Sequence, residues 1–238
     1  MTKYKAVFFD LDGTLRSNQP EGFQAFLEYA GRVGIPFTDE QIEICERAVH
    51  RYWADGAQVF DHFSRYDERG FWVNYNQILL IEMGVHGIVQ DAASRIQDHF
   101  AHYAPVDMVF ADTPDVLGAL KQAGHVLGLV SNRDTELDTL ATHYGFRHFF
   151  DFTLSGGQAK SFKPDAGIFM RALALAGDLK PAEVVYVGDN YYADVVGAQC
   201  VGIDAILIDP RDIFRDIFDR RVHTLMQVLD LVLSRPQA

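Results

Sequence analysis

The chain has 238 residues, 48% apolar and 23% charged, enough to bury one large core or a core carrying a sizeable insertion, and it holds no low-complexity tract that would make disorder the expectation. Thirty-three acids against 21 lysines and arginines leave a formal charge of -12; sequence-independent binding to nucleic acid or anionic lipid is thereby disfavoured, and an anionic substrate must be held by local cations or a metal. The apolar run before Asp10 is too short for a secretory signal and no stretch approaches the roughly 18 apolar residues of a membrane span, so a soluble, cytoplasmic protein without nucleic-acid or membrane partners is expected.

Lys5 to Phe9 reads as a short, fully buried strand, β-rich and unbroken until Gly13 supplies a turn. From Arg16 to about Pro105 apolar residues recur at helical spacing instead, as in Phe23, Phe26, Leu27 and Ala30 or Leu79, Leu80 and Met83, and no strand pattern interrupts them. Thr38 and Gln41 fit a capping box that opens a helix running to about Trp53, with Gly56, Gly70, Gly84 and Gly87 as breaks beyond it. Cys45 and Cys200 form neither a disulfide framework nor a metal-ligand spacing, and both read as buried small hydrophobes.

After Pro105 helix and strand alternate. A helix from about Thr113 to Gly124 feeds the apolar run Val126 to Val130, and one near Glu136 to Tyr144 feeds Phe149 to Leu154. A helix after Pro164 leads to Val184 to Val187, and one after Tyr191 leads to Ala205 to Ile208. Such alternation implies a parallel sheet with helices on both faces, and the first strand belongs to it. The fold class is therefore α/β: a Rossmann-like core formed by residues 1-15 and 106-238, with residues 16-105 inserted as an all-helical domain. Open sheets of this kind bind ligands at the carboxyl ends of their strands, and the insertion leaves the chain there, as a lid would.

Four polar clusters fall where strands end or helices start: "DLDGTL" from Asp10, "SNR" at Ser131 to Arg133, "KPD" at Lys163 to Asp165, and "GDNYYAD" at Gly188 to Asp194. In a parallel sheet the strand ends share one edge, so Asp10, Ser131 and Asp189 converge despite their separation. Carboxylates crowded beside an anion repel it unless a cation intervenes, which implies a metal. Oxygen-only ligands point to a hard ion such as Mg²⁺.

With these four motifs in order, the chain resembles the haloacid dehalogenase superfamily, in the branch with a helical cap inserted after the first motif. The resemblance implies a phosphomonoester hydrolase acting on a small phosphorylated metabolite. In it Asp10 would be the nucleophile that forms an aspartyl-phosphate, and Asp12 the general acid and base. Ser131 and Lys163 would bind the phosphoryl oxygens. Mg²⁺ would sit on the Asp10 carboxylate, the Asp12 backbone carbonyl and Asp189, with Asp194 supporting the metal site or Lys163. Asn132 and Arg133 are candidates for substrate binding, Arg133 toward a substrate carboxylate or second phosphate, although its stem could simply cover the core.

Asp12 itself speaks against the alternative of a haloacid dehalogenase, which needs no acid for a departing halide. A phosphomutase and a non-catalytic binding protein are further alternatives, the second disfavoured because no motif has lost its reactive residue. The insertion has no lysine, only seven arginines with 13 acids and five histidines, so it cannot supply the Schiff-base lysine of the superfamily's phosphonate-cleaving members. Arg16, His50, Arg51, Trp53, His62 and Arg65 are its candidates for substrate contact. "RSN" at residues 16 to 18 departs from the pair common in phosphoglycolate-type and sugar-phosphomutase-like members, Ala166 departs from the usual "KPDP", and Asn190 from the common "GDS".

Overall fold

A computed structural model describes residues 4–234. The chain forms two compact units, one made of the chain up to Ser17 and from Val109 onward, the other of Asn18–Met108. Strand β1 (Ala6–Phe9) is buried along its whole length. It is followed by β2 (Arg16–Gln19), which the sequence pattern does not foresee: "RSNQ" has no apolar alternation, and its strand form comes from pairing with β3 (Val106–Val109) at the far end of the insertion. The division between the units therefore falls inside these two strands rather than ahead of them.

The second unit is helical, with α1 (Gly22–Arg32), α2 (Asp39–Ala54), α3 (Gly56–Arg65), α4 (Glu68–Glu82) and α5 (Val89–Phe100). Its core gathers Phe26, Ala30, Cys45, Leu79, Leu80, Ala93 and Ile96, each fully buried Leu, Ile or Phe contributing roughly 1.5–3 kcal/mol. The capping box at α2 is present: Gln41 N–H donates to Thr38 Oγ1 at 3.3 Å and Thr38 N–H to Gln41 Oε1 at 3.0 Å. Gly70, expected as a break, lies instead in the first turn of α4, where its N–H donates to the capping Asp67 carboxylate at 2.7 Å. Gly84 and Gly87 do separate α4 from α5.

The first unit continues with α6 (Thr113–Gln122), β4 (Val126–Ser131), α7 (Asp138–His143), β5 (Phe152–Ser155), α8 (Gly156–Ala159), α9 (Ala166–Leu175) and β6 (Val184–Gly188). A π-helical turn, Tyr191–Val196, runs into α10 (Gly197–Cys200), and β7 (Asp204–Ile208), the short β8 (Arg221–Val222) and α11 (Met226–Leu233) complete it. β5 starts later than the apolar run suggests. Arg147–Phe149 form a 3₁₀ turn, and Asp151 pins the strand entry by accepting Leu127 N–H at 2.8 Å and pairing with Lys121.

All strands of the six-stranded sheet are parallel, in the order β5-β4-β1-β6-β7-β8. Because successive side chains alternate between faces, Val7 and Phe9 join α6 and α11 residues such as Leu120 and Val228 on one side. Ala6 and Phe8 join Ile168 and Phe169 of α9 on the other. Helices on both faces leave the strand ends as the place for polar groups. Cys45 is buried but Cys200, at the end of α10, is exposed, contrary to the expectation for it. Among the described residues no helix is long and apolar enough to cross a membrane.

Candidate active site

Strands β4, β1 and β6 are neighbours, with Phe9 in register with Leu129 on one side and Val187 on the other. Asp10, Ser131 and Asp189 follow those positions within one or two residues and therefore meet at one edge. Leu11 is fully buried, which anchors the turn after β1 and leaves Asp10 and Asp12 on the polar side. Gly13 is required there. Its φ is +84°, and a Cβ would stand 2.1 Å from Asp189 Oδ2, so only glycine lets the loop backbone press against that carboxylate. Thr14 Oγ1 donates to Asp189 Oδ1 at 3.4 Å.

Lys163 lies at the centre of the site, 3% exposed. Its Nζ donates to Asp10 Oδ1 at 2.6 Å, to Asp194 Oδ1 at 2.6 Å and to the Tyr186 hydroxyl at 3.0 Å. Its backbone is fixed by Asn132, which accepts Lys163 N–H at 2.6 Å and donates to the Lys163 carbonyl at 2.8 Å. The Asn132 amide thus faces the "KPD" loop, where it positions the lysine. Asp194 projects from the π-helical turn, and its other oxygen accepts Asn190 N–H at 2.9 Å. Asn190, at the position where "GDS" is common, caps that turn by accepting from Tyr192 and Ala193 N–H at 3.1 and 3.0 Å.

Asp10, Asp189 and Asp194 have carboxylate oxygens within 4.8 Å of one another. Three carboxylates and the Lys163 ammonium carry a formal -2 when ionised. Burial is the largest influence on Asp10; together with repulsion from Asp194 and Asp12 it outweighs the attraction of Lys163 and pushes the pKa up to about 7. Burial, with Asp10 and Asp194 beside it, likewise raises Asp189 well above the usual carboxylate range. Burial opposes the charge of Lys163, but Asp10 and Asp194 overcome it and hold the ammonium well above its ordinary value.

Asp12 lies in a different field. Arg133 forks its carboxylate, Nε to Oδ2 at 2.8 Å and Nη2 to Oδ1 at 2.9 Å, and Arg16 Nη1 also donates to Oδ1. Burial raises the Asp12 pKa, yet the two guanidiniums outweigh it and bring it below the usual range. Its side chain is outside the carboxylate cluster.

A model of the haloacid dehalogenase-like hydrolases matches residues 4–202 of this sequence. The chain belongs to that family. It is 30% identical over 212 residues to the glyceraldehyde 3-phosphate phosphatase of Methanothermobacter thermautotrophicus, covering 86% of this chain and 85% of that protein. The structure of a predicted phosphoglycolate phosphatase from Haemophilus somnus 129PT superposes with a TM-score of 0.60 at 20% identity, covering 97% and 99% of the two chains. A 2-haloacid dehalogenase from Pseudomonas syringae pv. Tomato DC3000 superposes with a TM-score of 0.54 at 25% identity, covering 97% and 98%. This haloacid dehalogenase-like hydrolase thus shares its fold with enzymes of two chemistries, and the site has to distinguish them.

Among the remaining predicted residues, Ser131 is 2% exposed and its Oγ accepts Arg133 N–H at 3.4 Å. Arg16, grouped from sequence with the insertion, belongs to the α/β unit and is 4% exposed; Asp12 and the ring of Tyr144, 5.6 Å from its guanidinium carbon, hold it there. In the helical unit Arg51 pairs with Glu82, Arg65 with Asp61, Trp53 Nε1 donates to the Tyr75 hydroxyl, and His62 meets Tyr52 and Asn74. Burial pushes the His50 imidazole down to about 4. Sequence reasoning missed Tyr186, whose hydroxyl donates to the Val130 carbonyl at 2.8 Å while accepting from Lys163. A hydroxyl inside the run Val184 to Val187 was the available signal, since a buried polar group needs a partner.

Proposed function

We propose that this hydrolase is a Mg²⁺-dependent phosphomonoesterase acting on a small phosphorylated metabolite through an aspartyl-phosphate on Asp10. The observation that carries the reading is the buried group of Asp10, Asp189, Asp194 and Lys163, held together beside the carboxylate of Asp12. The donor set fits a hard divalent cation: it is oxygen-only and enclosed, and its formal -2 is what one such ion cancels. Mg²⁺, bound by Asp10, Asp189 and the Asp12 carbonyl with Asp194 in support, would supply charge neutralisation for an incoming phosphate.

The residues divide the work. The Asp10 carboxylate attacks phosphorus, and the bond from phosphorus to the ester oxygen breaks. Lys163 places a fixed positive charge beside the phosphoryl oxygens, and Ser131 adds a neutral hydrogen bond. Asn132 and Tyr186 keep Lys163 in place. Asp12, once released from Arg133, takes up a proton from solvent and delivers it to the leaving alkoxide, then removes one from the water that cleaves the aspartyl-phosphate. A halide leaves without a proton, so a carboxyl at position 12 favours this chemistry over dehalogenation.

The test is hydrolysis of an aryl phosphate with and without Mg²⁺. Turnover that requires the ion and falls by roughly a thousandfold or more in Asp10→Asn is expected. Full activity in Asp10→Asn, or metal-independent halide release from a 2-haloacid, refutes the reading.

A further inference from the structure

Asp12 is engaged by two guanidiniums of unequal standing. The Arg16 side chain is 5% exposed, whereas those of Arg133 and Asp12 are 38% and 39% exposed. Arg133 Nε and Nη2 are both committed to the Asp12 carboxylate, in the bidentate geometry that also recognises a carboxylate or phosphate on a ligand. Its backbone is fixed by two contacts, N–H to Ser131 Oγ at 3.4 Å and carbonyl accepting Gly157 N–H at 3.3 Å. Gly157 can come so close only because it lacks a side chain, since a Cβ there would meet the Asp134 carbonyl oxygen at 1.9 Å. The loop after β4 therefore holds Arg133 at a set place beside the nucleophile, with its head partly open to solvent.

The ion pair also blocks the acid. While two guanidiniums donate to Asp12, both of its oxygens are occupied, Oδ2 by Arg133 and Oδ1 by Arg133 and Arg16, so neither is open to a leaving group. Arg16 is buried on its carboxylate, so Arg133 is the partner that can exchange.

We propose that Arg133 is the receptor for a second anionic group on the substrate, a carboxylate or a second phosphate, and that its handover from Asp12 to that group frees Asp12 for the leaving group. The proposal rests on the phosphomonoesterase reading and narrows its substrate class: a small phosphomonoester with another anion within a few bonds of the ester oxygen. No covalent bond changes in the handover; one ion pair replaces another. Neutral esters bind the same phosphoryl site but leave Arg133 on Asp12, so they lose turnover as well as affinity.

The experiment compares kcat and KM on matched esters with Mg²⁺ present. One pair is phosphoglycolate and its uncharged amide; the other is a short diol bisphosphate and the corresponding monophosphate. The better anionic member identifies whether carboxylate or phosphate is the natural group. Wild-type protein is expected to favour the anionic member of at least one pair by about 10- to 100-fold in kcat/KM, the range of a hydrogen-bonded charge pair, with part of the difference in kcat. Arg133→Met should erase that preference from both sides, lowering kcat/KM for the anionic ester and raising kcat for the neutral one because Asp12 is no longer held by Arg133, and Arg133→Lys, which keeps the charge but not the fork, should retain part of it.

Equal kcat/KM for both members of both pairs in the wild type overturns the proposal, with no variant needed. A preference confined to KM overturns the handover, and an equal loss on both esters in Arg133→Met reduces Arg133 to a structural role. If the aryl phosphate is also not hydrolysed, the phosphomonoesterase reading falls and takes this inference with it. Hydrolysis of the aryl ester without discrimination within the pairs removes only the inference about Arg133.

Discussion

Addition of Mg²⁺ to metal-free protein should raise the melting temperature of the α/β unit by an amount that follows from the charge of the site. Asp10, Asp189 and Asp194 place carboxylate oxygens within 4.8 Å of one another, and the Lys163 ammonium offsets only one of the three charges. An unfolded chain has no such cluster, so the cation binds the folded state selectively. At about one hundred times the dissociation constant that selectivity is worth about 2.7 kcal/mol, which for a unit of this size is roughly 5 to 10 °C in Tm. Calorimetry in chelator, then across a Mg²⁺ titration at constant ionic strength, measures the shift, with Na⁺ as the control for general screening. Asp189→Asn should lose most of the response, because it removes one ligand and one of the charges that the ion neutralises. A Tm that does not move up to millimolar Mg²⁺, or an equal shift in Asp189→Asn, refutes the assignment of the cluster as a cation site.

The same cluster sets a pH dependence. Folded Asp10 keeps its proton to about pH 7 against 3.8 for an unperturbed group, so between those values the folded state binds more protons than the unfolded. The Asp10 contribution to the stability of the metal-free protein should therefore fall as pH rises through that window, against the opposite contribution of buried His50 between about 4 and 6.5, so denaturant titrations from pH 4 to 8 in chelator compare wild type with Asp10→Asn. The same pH dependence in Asp10→Asn as in wild type would contradict the assigned burial of Asp10. Gly13→Ala places a methyl group 2.1 Å from Asp189 Oδ2 at a φ of +84°; it should cost roughly 1 to 3 kcal/mol and shrink the Mg²⁺-induced Tm shift, both readable by calorimetry. Tyr186→Phe leaves the Val130 carbonyl without the hydroxyl that donates to it and removes one of the three partners of Lys163. A loss of roughly 1 to 3 kcal/mol is expected, with kcat lowered more than KM in the aryl phosphate assay.

The alternation of apolar runs and helical stretches after Pro105 was enough to specify a parallel sheet, because buried strands and amphipathic helices leave different spacings in the sequence. "DLDGTL", "SNR" and "GDNYYAD" could be placed at one edge on topology alone, since parallel strands end on the same side, whereas "KPD" lies between α8 and α9 and not at a strand end. The "RSNQ" strand could not be read, because its extended form is imposed by β3 and not by its own residues. Nor could the exposure of Cys200, which depends on where α10 ends. Which partners the charged residues choose was also beyond the sequence. Arg16 and Arg133 are far apart in the chain and carry no mark that both belong to Asp12; Asn132 shows no sign that its amide clamps Lys163; and Tyr186 looks like one more apolar-strand residue. Sequence by itself determined the sheet, the insertion and the residue types gathered at the strand ends, because these follow from local periodicity and strand direction. Only the tertiary structure decided which ions pair, since a buried charge takes whichever partner the packing brings within about 3 Å, and that distance is a property of the folded chain.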